Sequence, residues 1–251
     1  MKINLICPIK NEGKILPFFL DYYLNFIMVD HIVLFDNSST DNTNMIIKEW
    51  QLENPGKIEH VVTFHEKFDD KDLQPLFNES WKSYRNDYDW LITADCDEFI
   101  YHPNLRLLLD KYMDENITVP LVEGFDMHSM EFPEFTKGKY LPEIIKTGIK
   151  FDPLDKLAIF NPKLVEMNYG FGRHHWNNNS TGKVKYSETS EIKLLHYKRL
   201  SYDYFVERSA YLASLLSDRM IKDGNGIHNI SNSKDTIENY KKSYDNSVKV
   251  I

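Results

Sequence analysis

The first hundred residues switch repeatedly between two hydrophobic periods, and that alternation constrains the fold more than any other feature. Residues 3–7 (INLIC) form a short apolar run of the kind that makes a buried strand. After Pro8 and the polar turn Lys10-Asn11-Glu12-Gly13, apolar residues fall at Ile15, Phe18, Phe19, Tyr22, Tyr23 and Phe26. Gaps of three and four place these on one face of a helix. Residues 31–35, 58–64 and 90–94 repeat the strand pattern. Met45, Ile46 and Trp50, then Leu73, Leu76, Phe77, Trp81 and Tyr84, repeat the helical one. Strands and helices in alternation predict right-handed βαβ units: an α/β fold with a mostly parallel central sheet flanked by helices.

Beyond residue 100 the rhythm loosens. Leu105, Leu108, Leu109 and Tyr112 predict a short helix, and residues 117–122 a strand. Residues 123–155 carry no clear period and have the character of a binding loop. Residues 157–160 and 192–195 suggest two more strands. Ser201 is placed to cap a long amphipathic helix running to Leu216. The last thirty residues are polar, a surface helix or a tail. Domain organisation is expected to be a single domain over 1–220, followed by 221–251 as that polar segment.

Composition narrows the function classes. A formal charge of −8 argues against a nucleic-acid partner. No apolar run is long enough to span a bilayer, and the opening residues read as a first strand rather than a signal peptide. Cys7 and Cys96, both within apolar stretches, are expected to be reduced core thiols. Together these predict a cytoplasmic protein, in solution or attached at the inner face of a membrane. Aromatic residues reach 14%, a surplus that fits either a core or a pocket wall.

The densest chemical signal is WLITADCDEFI, where an apolar strand runs into Asp95, Asp97 and Glu98. On a strand, residues two apart share a face, so Asp95 and Asp97 would point together while Cys96 turns to the core. Ligands of open parallel sheets collect at the carboxyl ends of strands. Two carboxylates there call for a cation between them, and Mg²⁺ or Mn²⁺ prefers such oxygen ligands. Glu98 would favour a helix start or pair with a basic residue. Pro8, Asn11 and Glu12 follow the first strand and Asp36 the second, on the same sheet edge. Ligand contact and a turn or cap are both open for them. Neither a GxGxxG fingerprint nor a P-loop is present.

CPIKNEGKILPFFLDYYL, HIVLFDNSSTDNT and WLITADCDEFI together resemble the family 2 type glycosyltransferases with the GT-A fold. More closely, the chain resembles the subgroup whose metal motif reads D-x-D-E-F, related to family 92. The resemblance implies a nucleotide-binding half over 1–100 and an acceptor half over 101–220. It puts Pro8, Asn11 and Glu12 in the first nucleotide loop and Asp36 at the base or ribose. Gln74 and Asn78, in the pattern Q-x-x-x-N, fall on the donor-sugar side. Asp95 and Asp97 match the metal and diphosphate site, and His196 in LLHYKRLS the third metal ligand. The cofactor implied is Mn²⁺ or Mg²⁺, the donor a UDP-type nucleotide sugar, and the acceptor a glycan or lipid-linked hydroxyl, as in microbial polysaccharide assembly. Lys156, Lys198 and Arg199 are candidate cations for the departing diphosphate.

An inverting transferase needs a base for the acceptor hydroxyl. Asp126, Glu143 and Asp152 are candidates, and because VPLVEGFDMHS resembles the subgroup's acceptor-side strand and loop, the resemblance puts Asp126 first. The loop GFGRHHWNNNSTG offers His174, His175 and Trp176 to a sugar, the aromatic face suiting a pyranose. Adjacent His residues lack zinc-ligand spacing. A nucleotidyltransferase would bring a Gly-rich basic phosphate loop near the N-terminus, and a glycoside hydrolase two carboxylates spaced to flank a bond. A non-catalytic glycan- or partner-binding module on the same fold is the rival from another class.

Overall fold

The computed structural model describes residues 1–67, 69–174 and 178–251. In chain order the first half contains β1 (Ile3–Ile9), α1 (Leu16–Asp21), β2 (His31–Asp36), α2 (Thr43–Glu53), β3 (Ile58–Val62), α3 (Asp70–Glu79), β4 (Trp90–Thr93) and β5 (Glu98–Tyr101). Then follow α4 (Leu105–Asp114), β6 (Val122–His128), α5 (Leu141–Ile144), β7 (Thr147–Lys150), β8 (Ile159–Phe160), β9 (Val165–Glu166), β10 (Thr181–Gly182) and β11 (Ile192–Arg199). The C-terminal part holds α6 (Tyr202–Leu215), α7 (Asp218–Lys222), α8 (His228–Asn232), α9 (Ile237–Asp245) and β12 (Val248–Lys249).

Two five-stranded sheets carry the molecule. The first has the order β3-β2-β1-β4-β8, with β1 to β4 parallel and β8 antiparallel against β4. β1 and β4 are apolar runs because helices and loops cover both of their faces. The second has the order β12-β7-β6-β11-β5. Only the β6–β11 pair in it is parallel.

The two sheets meet through an aromatic core. α1 begins with proline in its first turn and continues as a wide helical turn over Tyr22–Phe26. The Tyr22 and Tyr23 hydroxyls donate to the carbonyls of Ile100 and Glu98 at 2.8 and 2.9 Å. Phe99 packs against Phe19, Tyr22 and Tyr23. Much of the aromatic surplus is therefore core, and it fixes where β5 starts.

Four expectations change. The strand predicted over 117–122 is instead β6, starting where that prediction ended. Pro120 removes a ladder donor from the earlier run. In β6, half-buried Glu123 and Asp126 interrupt the apolar residues and hide the period. Second, Gly124 lets β6 lie against the 152–154 turn, since a Cβ there would come within 2.2 Å of the Leu154 Cβ. The expected 123–155 loop is thus partly sheet. Third, the last thirty residues hold a surface helix, α9, as one of the two readings had it, but are also tied in: β12 pairs with β7, and the buried Tyr240 hydroxyl bonds to the carbonyls of Ser129 and Arg199. Fourth, residues 95–97 are a turn between β4 and β5 rather than a strand end. Ser201 does cap α6, accepting from the Tyr204 amide at 3.2 Å. Among the described residues no helix is long and apolar enough to cross a membrane.

Candidate active site

The acidic turn is closed by its own ends. The Glu98 amide donates to the Asp95 carbonyl at 2.9 Å, and the Asp95 amide to Glu98 Oε2 at 3.0 Å. Cys96 points inward beside Cys7; both are free thiols, buried as expected. With Cys96 anchored inside, Asp95 and Asp97 diverge towards different partners.

Asp95 faces a cationic corner. Its Oδ2 lies 2.7 Å from Arg173 Nη2 and 3.4 Å from Lys156 Nζ. The same two cations reach Glu98, Arg173 at 3.2 Å and Lys156 in closer contact still. Burial alone would raise the Glu98 carboxyl, but Lys156 and Arg173 overcome it and hold it down at about 2. Arg173 is 4% exposed, stacks over the Phe77 ring at 4.3 Å, and adopts a left-handed φ of 58°. Glu98 therefore pairs with bases, one of the two roles expected for it.

Asp97 faces a different corner. Its Oδ2 is 3.3 Å from His196 Nε2, and His196 Nδ1 is 2.6 Å from Asp126 Oδ1. Sheet register makes this arrangement: on β11, His196 lies opposite Asp126 of β6 on one side and Glu98 of β5 on the other. The Tyr197 amide also donates to the Asp97 carbonyl at 2.7 Å, locking the turn onto β11. Burial opposes a charged imidazole, yet Asp97 and Asp126 raise His196 to about 10. Beside them Lys198 is buried and donates to Asn229 Oδ1 at 2.7 Å. Burial lowers its ammonium to about 8, against the pull of Asp97 and Asp126.

A third corner joins the β1 loop to α6. Buried Glu12 contacts Arg208, which also donates to the Lys10 carbonyl at 3.3 Å. Burial lifts Glu12 to about 7; Arg208 opposes the rise, while Asp97 and Asp95 add to it. A cleft of about 190 Å³ opens here, lined by Asn11, Glu12, Asp41, Tyr204, Arg208 and Tyr211. Asn11 has a left-handed φ of 54° and shapes the turn, its Oδ1 accepting from the Thr40 amide at 2.7 Å. Its side-chain amide donates to the Tyr211 hydroxyl at 2.7 Å. Pro8 lies at the same end of β1, opposite Phe35.

Other predicted residues are placed differently. The Asp36 carboxylate is fully buried, accepting from Ser39 N and Oγ at 2.9 and 2.6 Å and facing His60 Nε2 at 3.1 Å. Its oxygens are spent on this chain's own groups. Asn78 spends its amide on the Asn168 side chain and the Tyr169 backbone, and Gln74 donates to the Tyr169 carbonyl at 2.9 Å. Both hold the segment leading to Arg173 rather than presenting themselves to a donor. Lys156 serves Glu98 and Asp95 directly. Glu143 is exposed and caps α5 by accepting from the Tyr140 amide at 3.2 Å. Asp152 is 82% exposed beside Lys150. His175 and Trp176 lie outside the described residues.

Arg173, Arg208, His60 and Asn229 were missed by sequence reasoning. Only Arg173 left a trace, in the Gly-flanked segment GFGR. Among the described residues, no three or more His, Cys, Asp or Glu side chains converge as a complete metal set. Asp97 Oδ2 and His196 Nε2 nonetheless fit two adjacent positions around one ion. Cis ligands of a small octahedral cation stand about 3 Å apart, and Mg²⁺-type sites draw their remaining oxygens from water and substrate phosphate.

Comparison with curated proteins gives no match. Among solved structures, the chain is similar to S. aureus TarS at 13% identity and a TM-score of 0.46, covering 89% of this chain and 42% of TarS. It is likewise similar to S. aureus TarS 1–349 in complex with UDP, at 13% identity and a TM-score of 0.46, covering 95% and 76%. Glucosyl-3-phosphoglycerate synthase from Mycobacterium tuberculosis, in complex with Mn²⁺, UDP and glucosyl-3-phosphoglycerate, matches at 18% identity and a TM-score of 0.34, covering 50% and 44%. This chain thus spans less than half the length of TarS. The family model for glycosyl transferase family 2 matches residues 5–164, well over half of the chain. The protein belongs to glycosyl transferase family 2, built on an α/β fold of the GT-A type.

Proposed function

We propose that this chain is a metal-dependent glycosyltransferase that moves a sugar from a nucleotide-sugar donor, UDP-type by preference, to a hydroxyl of a glycan or lipid-linked acceptor. The carrying observation is the Asp97–His196 pair, 3.3 Å apart at the turn above β4. Family membership supports the reaction class, and the D-x-D-E-F run supports placing the chain in the subgroup related to family 92. Residues 1–220 would form the catalytic unit, working at the cytoplasmic face of a membrane or in solution.

Asp97 and His196 would hold Mn²⁺ or Mg²⁺. When bound, such an ion supplies Lewis-acid stabilisation of the charge that grows on the departing diphosphate. The protein's own part is to aim charge at that place. Lys198, buried 2 residues beyond His196, presents a cation in low dielectric, where it acts more strongly than in water. Arg173 and Lys156 neutralise Asp95 and Glu98, so the turn does not repel the incoming diphosphate. The 190 Å³ cleft beside Glu12 and Arg208 is suited to the nucleoside end. Displacement with inversion at the anomeric carbon is the course we favour.

The test is a panel of nucleotide sugars offered with Mn²⁺ to the wild type and Asp97→Ala. Donor hydrolysis or transfer by the wild type, absent from the variant, is expected. Glycan binding that needs no metal and gives no turnover would instead identify a binding module. Transfer of a nucleotidyl group onto a sugar phosphate would identify a nucleotidyltransferase.

A further inference from the structure

We infer that Asp126 is a positioning residue for His196, fixing which ring nitrogen faces the metal, and is not the base that takes the acceptor proton. The inference rests on the metal-dependent reading above and goes further by assigning the supporting carboxylate of that site.

The parallel register of β6 and β11 sets Asp126 directly beside His196, so backbone ladder bonds, not a flexible loop, set the contact. Asp126 Oδ1 is 2.6 Å from His196 Nδ1, close to the short end of charge-assisted hydrogen bonds. A neutral imidazole carries one N–H, and an acceptor at Nδ1 keeps that proton there. Nε2 is then the nitrogen that faces Asp97 Oδ2, 3.3 Å away, and the one left to a metal once its own proton is given up. A carboxylate behind a ligating histidine orients the ring and strengthens it as a donor.

The same geometry already occupies one Asp126 oxygen within this chain. Oδ1 is engaged by His196, and Oδ2 lies 3.7 Å from Arg199 Nε. Arg199 is itself held over the Phe205 ring at 4.1 Å. Oδ1 is thus committed to His196 and Oδ2 faces Arg199, although the side chain keeps 20% of its surface exposed.

The experiment measures Mn²⁺ affinity by electron paramagnetic resonance on the full chain with saturating UDP, for wild type, Asp126→Ala and Asp126→Asn. UDP binding without metal serves as the folding control. Asp126→Ala is expected to weaken Mn²⁺ about 10- to 100-fold with metal-free UDP binding unchanged. Asp126→Asn keeps an oxygen to accept from Nδ1, so it should recover most of the affinity. Unchanged Mn²⁺ affinity in Asp126→Ala, with turnover lost, would overturn the inference while leaving the metal-dependent reading intact. Failure of the wild type to bind Mn²⁺ alongside UDP would overturn both.

Discussion

Two carboxylates one residue apart occupy opposite kinds of surroundings. Asp95 is 41% exposed and leans on Arg173 and Lys156, cations that also neutralise the buried Glu98. Asp97 is 21% exposed and, among the described residues, its carboxylate pairs with the imidazole of His196 rather than with an arginine or lysine, and Asp126 holds that ring from behind. The first corner is satisfied by the protein itself. The second presents a carboxylate oxygen and a ring nitrogen side by side, an arrangement that an added cation completes. Adjacent residues of one motif can therefore divide the work: one half ties the turn down, and on the proposed reading the other would receive the ligand.

Substitutions at the two corners should accordingly fail in different ways. Glu98→Ala leaves Lys156 and Arg173 buried with only the 41%-exposed Asp95 between them, and removing one member of such a buried set costs up to about 3–5 kcal/mol. Urea unfolding should show that loss, and a change under about 1 kcal/mol would mean the cationic corner is not structural. Asp97→Ala should do the reverse, with turnover falling about 100- to 1,000-fold while the melting temperature stays near that of the wild type. A variant that simply unfolds would erase the distinction between the corners.

The strand behind the Asp97 corner has its own pH signature. His128 is buried on β6, contacts Ser247 Oγ at 3.0 Å and stacks on Tyr240. Burial, helped by Arg199 and opposed by Asp126, lowers it from 6.5 to about 4. The unfolded chain therefore binds the extra proton first. Its contribution is complete above pH 6.5 and is lost as pH falls towards about 4, on the order of 2 kcal/mol. Urea unfolding at pH 7 and pH 4.5 should reveal the slope, and His128→Gln should flatten it.

The smallest effect lies away from both corners. Asp69 accepts from Ser217 Oγ at 2.6 Å and pairs with Arg219, tying the start of α3 to α7. The Arg219 guanidinium holds the Asp69 carboxyl well below its usual range. Asp69→Asn should cost about 1 kcal/mol and raise amide exchange around 217–222 without altering metal binding. A loss of metal binding in this variant would show that the cation-ready corner depends on distant contacts.

β1 and β4 of the first sheet were legible because both of their faces are covered, so they read as nearly continuous apolar runs, while β3 was legible despite Glu59 and His60 in its middle. Of the second sheet only β11 was anticipated, over 192–195. Its strands carry the site, and Glu123, Asp126 and His196 break the alternation that would have marked them. Asp97 and His196 were each picked out from sequence, but their closeness depends on the β5–β11–β6 register, which no local pattern encodes. The internal partners of Asp36 were hidden for a related reason. Its partner His60 is 24 residues away on β3, and a strand-end aspartate looks the same whether it meets a ligand or a buried histidine. Arg173 was hidden more deeply, since its role depends on Glu98, 75 residues earlier.

The central claim is that Asp97 and His196 receive a divalent cation together with a nucleoside diphosphate. Isothermal titration of UDP into the wild type, with and without Mn²⁺, tests it most directly. Binding should tighten at least about 10-fold with the metal, and Asp97→Ala should abolish that gain while retaining the weak metal-free binding. Equal affinity with and without Mn²⁺, in a wild type that binds UDP, would contradict the account.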